Sequence, residues 1–174
     1  SNMSSPSESQ GNEITDRVDP GSLPKDEQHI QETENVKNSA AESKLGRIIS
    51  VNCLTKNIRT FQSLEVNVEY EIFDQVPNLL VGIAIYDRQR RYIFGPNTYL
   101  DNFQIPTTRG KYSITYRIPQ IPLLSGTYCL DAGLFSEKGL VVIDYKTAAA
   151  EFVVRNDYFT EGLVYIEHEW RIGK

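Results

Sequence analysis

The sequence predicts an all-β fold, an antiparallel β-sandwich, which is preceded by an acidic segment outside the folded core. Three observations lead to this prediction. From residue 45 onward, short runs alternate apolar with polar residues, the period of strands that bury one face. Turn residues separate these runs at short intervals, as in sandwiches. No run has the apolar spacing of a packed helix.

The first 44 residues differ in composition from the rest of the chain. They hold nine acidic and four basic residues, which accounts for the whole net charge of −5, and all 18 aromatic residues lie between Phe61 and Trp170. So few large apolar side chains cannot offset the entropy lost on ordering. We predict a flexible linker over 1–44 and a sandwich domain over 45–174. The opening Ser1-Asn2-Met3 is interpreted as a protease scar on a fragment of a longer protein.

Nine strands are predicted in chain order. They span residues 47–54, 64–72, 79–86, 92–94, 112–118, 127–135, 140–145, 151–155 and 163–167. The nearly continuous apolar run at 79–86 is typical of a central strand covered on both faces. Pro119 and Pro122 end the fifth strand, because proline cannot donate a ladder hydrogen bond.

Several classes of protein are excluded by what the sequence lacks. It contains no P-loop, no dinucleotide-binding glycine fingerprint and no nucleophile elbow. With two cysteines, two histidines and no Cys-x-x-Cys, it predicts no metal site and no cofactor. Cys53 and Cys129 are expected to be small buried groups in a reducing compartment, with a disulfide between them as the alternative.

Neither nucleic acid nor a membrane is expected as a direct partner. Residues 45–174 hold fourteen acidic and fourteen basic residues, so the domain has no basic field to attract polyanions. The longest apolar run, 78–85, is far shorter than the roughly 20 residues of a membrane span. No secretory signal opens the chain.

Two catalytic interpretations of the sequence compete with plainer ones. His168, near the end of the last predicted strand, is expected to be a surface histidine rather than a general base. Asp131 and Asp144 lie on strands whose other face is apolar, so they could share a surface as a glycosidase pair would. Solvated strand-face carboxylates are the commoner case.

The tyrosines carry more information than the carboxylates. Four of them, at 70, 112, 116 and 128, fall in core register. The others of interest lie at strand ends among polar residues. A sugar ring offers an apolar C–H face and a hydroxyl rim, which aromatic plates and Asn, Asp or Arg side chains match. The predicted carbohydrate-binding residues are Tyr86, Arg91, Tyr92, Asn97, Tyr99, Asp131, Asp144 and Tyr145.

From residue 47 to residue 170, the chain resembles the C-terminal domain of the ATP-binding subunit (Wzt) of ABC transporters that export O-antigen polysaccharides. The matching pieces, in chain order, are FQSLE at 61–65, LVGIAIYD at 80–87, IFGPNT at 93–98, IPQIPLLSGTY at 118–128 and GLVY at 162–165. Each piece is weak by itself, and their order and spacing together carry the resemblance.

The resemblance implies an immunoglobulin-like or jelly-roll sandwich without catalytic activity. It implies a module that binds the exported O-antigen on the cytoplasmic side of the cell membrane, with the transporter permease as a partner. A structural dimerisation domain without glycan binding, and a carbohydrate-active enzyme, stay as alternatives.

A homodimer is expected, because ABC transporter ATPase subunits work in pairs. The polar connection at 156–162 leads to the last predicted strand and Trp170. A terminal strand on such a connection can pair with a neighbour's edge as well as with its own sheet. Residues 163–170 are therefore predicted to contribute to the dimer contact, by exchange or by edge pairing.

Overall fold

A computed structural model describes residues 44–157 and 160–173 of the chain. Apart from Lys44, the predicted linker lies outside the described residues. Eight strands and one 3₁₀ turn follow in order: β1 Gly46–Cys53, β2 Asn57–Arg59, β3 Leu64–Ile72, β4 Leu80–Asp87, β5 Tyr92–Phe94, β6 Gly110–Ile118, β7 Gly126–Ser136, the turn Glu137–Gly139, and β8 Val141–Arg155. Among the described residues, no helix is long and apolar enough to cross a membrane.

The strands form two sheets, which confirms the predicted β-sandwich. A three-stranded sheet has the order β1-β3-β6, and a five-stranded sheet has the order β2-β8-β7-β4-β5. All pairings are antiparallel except that of β2 with β8, which is parallel. The sandwich is therefore antiparallel, as predicted, with one short parallel pairing at a sheet edge.

The core lies between the two sheets, where alternating side chains of each strand meet. In β3, residues 64, 66, 68, 70 and 72 are buried, as their period of two predicts. Tyr128, Leu130 and Leu134 face them from β7 and are at most 1% exposed. Tyr112 and Tyr116 pack against this cluster as half-buried residues, so all four tyrosines predicted in core register lie there.

Two predicted strands, 140–145 and 151–155, are one strand in the structure. β8 continues through Thr147–Ala149 because these three residues bulge out opposite the single residue Asp131 of β7. Ala148 has a φ of 48°, a left-handed conformation that interrupts the pleat without ending the strand. The break in apolar periodicity between residues 145 and 151, from which two separate strands were predicted, is therefore a bulge within one strand and not a turn.

Two further differences have simple causes. β2 was not predicted, because a strand of three residues that buries only Ile58 shows no alternating pattern in the sequence. The last predicted strand, 163–167, is reduced to one antiparallel bridge between Leu123 and Val164. Backbone hydrogen bonds from Leu124 N to Leu163 O and from Tyr165 N to Pro122 O hold that bridge.

The two cysteines are free, so the disulfide alternative is wrong. Cys53 is buried as expected, whereas Cys129 is half-buried on the outer surface of the five-stranded sheet. His168 is exposed, and its Nδ1 lies 2.8 Å from the carbonyl oxygen of Ile166, as expected of a surface histidine.

Candidate functional site

The outer surface of the five-stranded sheet, on the side away from the core, carries a cluster of aromatic and charged side chains. Register places Tyr86 of β4 beside Cys129 of β7, and Tyr145 of β8 beside Gly133 of β7. Successive residues point to opposite sides of a strand. The even-numbered residues of β7 therefore face the core, and the odd-numbered residues face the outer surface of the sheet. Six residues form this cluster, called the aromatic face below: Tyr86, Arg90, Tyr92, Asp131, Phe135 and Tyr145.

Asp131 lies at the centre of the aromatic face and is only 1% exposed. Its carboxylate accepts four hydrogen bonds, from Nη1 and Nη2 of Arg90 at 2.8 and 2.6 Å, and from Tyr145 Oη and Ala148 N, each at 2.8 Å. The bond to Ala148 explains how the β8 bulge keeps its shape. With its oxygens engaged in this way, Asp131 positions its neighbours, and its direct contact with a ligand stays a prediction.

Arg90 is held in place from two directions. One edge of its guanidinium meets Asp131, and its Cζ lies 3.9 Å from the centroid of the Tyr86 ring. Such a cation–π contact is attractive, particularly where it is partly desolvated. The hydrogen bond with Asp131 raises the pKa of Arg90, so the guanidinium remains charged.

The two phenols beside Asp131 stay protonated. Burial raises the pKa of Tyr145, and the negative charge of Asp131 raises it further. Burial also raises the pKa of Tyr86, against a smaller lowering by its hydrogen bond with Tyr145. Both residues therefore act as neutral aromatic groups with a hydroxyl, which suits contact with polar, uncharged ligands.

The Phe135 ring lies close against a pair of glycines. Gly82 of β4 and Gly133 of β7 are partners in register, and a Cβ built on Gly133 would collide with the Phe135 ring. The same ring would lie 3.4 Å from a Cβ on Gly82. Tyr145 meets Phe135 edge-on, with the ring centroids 6.2 Å apart. The half-buried Phe135 ring is thereby presented as a plate on the sheet surface.

Tyr92 extends the aromatic face to the sheet edge. Its side chain is 55% exposed, and its ring centroid lies 5.4 Å from that of Tyr86. The arrangement brings together four of the eight predicted site residues: Tyr86, Tyr92, Asp131 and Tyr145.

The other four predicted residues are not part of the aromatic face. Arg91 closes the base of the β4–β5 hairpin, with its Nε 2.5 Å from the buried carboxylate of Asp87. Asn97 borders the aromatic face through its bridge with Gly82, but its Oδ1 accepts the backbone N–H of Leu100. Tyr99 is exposed in the same loop, where the described residues show no contact between its ring and the aromatic face.

Asp144 belongs to a different part of the molecule. It is in register with the core residue Leu134, and its Oδ2 accepts the backbone N–H of Ile48 at 2.7 Å. Since Ile48 lies on β1 of the other sheet, this bond joins the two sheets along one side of the sandwich. Asp131 and Asp144 consequently do not share a surface, which corrects the expectation that they could.

Sequence reasoning missed Arg90 and Phe135. Arg90 is one of three arginines among residues 88–91, where the turn geometry alone decides which one reaches β7. The half-buried Phe135 ring lies against the sheet surface because glycines on two different strands align there, and alignment between strands is a tertiary property. An isolated glycine within each strand pattern was the available signal, since such a glycine often marks a close approach.

A second concave region lies along β6, between the sheets. Cavities of about 190 and 460 Å³ are bordered in common by Tyr116 and Arg117. The larger one is almost entirely apolar and includes Val164 of the C-terminal segment in its lining. The smaller cavity is more polar, and its lining includes Asn97, Thr98, Asp101 and Arg117.

Comparison with known proteins identifies the family. Residues 38–166 match the family model of the Wzt C-terminal domain. The fold is similar to that in the crystal structure of the C-terminal domain of wzt, with 16% sequence identity and a TM-score of 0.64, over 74% of this chain and 84% of that one. No curated protein sequence matches the chain.

Two further solved structures have TM-scores below 0.5 and carry no argument about function. A Niemann-Pick type C2 protein from Japanese carpenter ant has a TM-score of 0.44 at 12% identity, over 67% of this chain and 96% of that one. A CARDB domain from Pyrococcus furiosus has a TM-score of 0.40 at 11% identity, over 68% of this chain and 100% of that one. On the match of its family model, which spans most of the sandwich, the chain belongs to the Wzt C-terminal domain family.

Proposed function

We propose that this chain is a non-catalytic carbohydrate-binding domain that recognises the O-antigen polysaccharide exported by an ABC transporter. Membership of the Wzt C-terminal domain family supports a role in the Wzt transporter subunit. In this proposal the domain works as a homodimer at the cytoplasmic face of the cell membrane, beside the permease subunit, and presents the polysaccharide to it.

The aromatic face is the observation that carries the proposal. Phe135 and Tyr92 offer ring surfaces of the kind that cover the C–H face of a sugar, whereas the Tyr86 ring is only 8% exposed and lies under Arg90. The phenol of Tyr145 and the guanidinium of Arg90 lie among these rings and can hydrogen-bond a hydroxyl rim. A surface that alternates plates and hydrogen-bonding groups suits a polysaccharide better than a purely apolar partner.

The geometry of the carboxylates supports binding without catalysis. Glycosidases use two carboxyl groups on opposite sides of one bond. Asp131 is buried and engaged in four hydrogen bonds, while Asp144 links the two sheets. Neither is poised toward a shared substrate position.

The proposal is tested by measuring binding of the purified native surface polysaccharide to the chain by calorimetry. Phe135→Ala should weaken binding roughly several-fold to tenfold, because it removes one aromatic plate. Phe73→Ala is the matched control, since Phe73 is a partly exposed phenylalanine at the end of β3 in the other sheet. The proposal fails if the unaltered chain does not bind the polysaccharide, or if both variants bind it equally well.

A specific observation also favours the dimerisation function. In the C-terminal segment, Ile166, Trp170 and Ile172 are 75, 92 and 99% exposed. Large apolar side chains at such exposure are typical of an interaction surface. Dimerisation is compatible with glycan binding, and it becomes the sole function of the domain if the polysaccharide experiment fails.

A further inference from the structure

We propose that Arg90 determines specificity on the aromatic face, and that the face selects an uncharged glycan. This inference rests on the proposed glycan-binding function and deepens it by naming the chemical class of the ligand. It is carried by the backbone conformation of Arg90, by the donors that its guanidinium leaves free, and by the balance of charge around it.

The backbone of Arg90 adopts a conformation that favours glycine. Its φ is 62°, at the end of the turn closed by the hydrogen bond from Arg90 N to Asp87 O. Non-glycine residues in this region cost free energy, and such outliers cluster at functional positions. A turn selected for stability alone would place glycine or asparagine here. The presence of arginine therefore indicates that its side chain is needed.

The guanidinium of Arg90 retains free donors in a fixed orientation. An arginine has five N–H groups, and Asp131 engages two of them. For the other three, the described part of the chain shows no acceptor. The side chain is 40% exposed, so these donors reach the surface beside the Tyr86 ring. Because the ion pair and the ring already immobilise the group, a ligand that accepts from it loses little side-chain entropy.

The charge of Arg90 is already compensated. Asp131 is fixed and buried directly behind the guanidinium. An anionic sugar substituent would gain attraction from Arg90 and lose much of it by repulsion from Asp131. A hydroxyl or ring oxygen accepts from the same donors without that repulsion. The pair therefore acts as a strong, directional donor of nearly zero net charge.

The surroundings of the aromatic face are compensated in the same way. Arg88 at the tip of the same hairpin is exposed, and so is Glu151, the register partner of Cys129. These two charges are opposite in sign and screened by solvent, so they do not give the aromatic face a positive potential that attracts anions.

Two variants of Arg90 test its role, with the native polysaccharide as ligand and calorimetry as readout. Arg90→Gly suits the positive φ and removes the donors, whereas Arg90→Lys keeps the charge and removes the planar fork. Each should weaken binding at least about tenfold, the effect of losing charge-assisted hydrogen bonds. Arg88→Gln, the matched control in the same hairpin, should bind like the unaltered chain. Thermal unfolding of each variant shows whether the fold persists.

A second measurement tests the ligand class. Affinity should change by less than about threefold between about 50 and 500 mM NaCl, and polygalacturonate should not compete. Steep salt dependence, competition by the polyuronate, or a loss of binding in Arg88→Gln would show that the site takes an anionic glycan. Unchanged binding by folded Arg90→Gly and Arg90→Lys would remove Arg90 from the site. These results overturn the inference and leave the proposed function standing, whereas absence of binding by the unaltered chain overturns both.

Discussion

Arg90 and Asp131 form a two-point ion pair across the outer surface of the five-stranded sheet, with Nη1 to Oδ1 at 2.8 Å and Nη2 to Oδ2 at 2.6 Å. Through the same carboxylate, Asp131 also bonds the β8 bulge and the phenol of Tyr145. One buried side chain thus connects β7, β8 and the β4–β5 hairpin. The arrangement of the aromatic face depends on this connection.

Replacing Asp131 should therefore affect both stability and binding. Asp131→Ala leaves Ala148 N, Tyr145 Oη and Arg90 without their acceptor, and we expect it to lower the free energy of unfolding by about 2–4 kcal/mol. Urea unfolding measures this change, and polysaccharide binding should fall in the fraction that remains folded.

Asp157→Ala is the matched control, because Asp157 pairs with Arg59 at 2.5 Å while both side chains are largely exposed. Exposed pairs contribute about 0–1 kcal/mol. Similar losses in the two variants would contradict the central role of Asp131.

The glycine pair under Phe135 offers a test of the aromatic plate. Gly133→Ala should displace the Phe135 ring, because the new Cβ would collide with it and would approach Tyr145 Cδ2 to 3.0 Å. We expect weaker polysaccharide binding and a lower thermal midpoint. The neighbouring Gly82→Ala should be tolerated, since its Cβ would meet Phe135 at an ordinary contact distance of 3.4 Å. If the two alanines behave alike, Phe135 is not held by the glycine pair.

The core and the sheet-linking carboxylate should differ in their contribution to stability. Leu130 is fully buried, so Leu130→Ala should cost about 2–5 kcal/mol through lost burial and a cavity. Asp144→Ala leaves the N–H of Ile48 without its acceptor and should cost about 1–2 kcal/mol. Chemical denaturation of both variants compares them. Equal costs would contradict the assignment of Leu130 to the core and of Asp144 to the sandwich side.

The C-terminal segment should contribute to a homodimer. Beyond the bridge at Val164, it holds Trp170 and Ile172 almost fully exposed, and Val164 lines the larger cavity beside β6. β6 is an edge strand, so a second copy can pair with it or exchange the segment. Burying these side chains between two copies removes apolar surface from water.

Light scattering at tens of micromolar tests the assembly. The full chain should be dimeric, and a chain that ends at Asn156 should be monomeric. A monomeric full chain contradicts the prediction, whereas a dimer that survives truncation places the contact outside residues 163–170.

Most of the fold was accessible from local patterns. The alternation in β3 and β6 predicted which of their residues are buried. In a strand every second side chain faces the core, so the buried face can be read from the sequence. The apolar run of β4 indicated a strand covered on both faces, and β4 is buried along most of its length. The bulge at Ala148 was missed because a bulge and a turn interrupt periodicity in the same way.

By itself, the sequence determined the sandwich class, the core registers of Tyr70 and Tyr128, and the tyrosines from which a binding face could be built. Only the tertiary structure decided that Asp131 supports the aromatic face while Asp144 joins the sheets, and that Arg90 rather than Arg91 reaches this face. The physical reason is register. Which face a residue occupies follows from its own strand, but which neighbours it meets depends on pairing between strands distant in the chain.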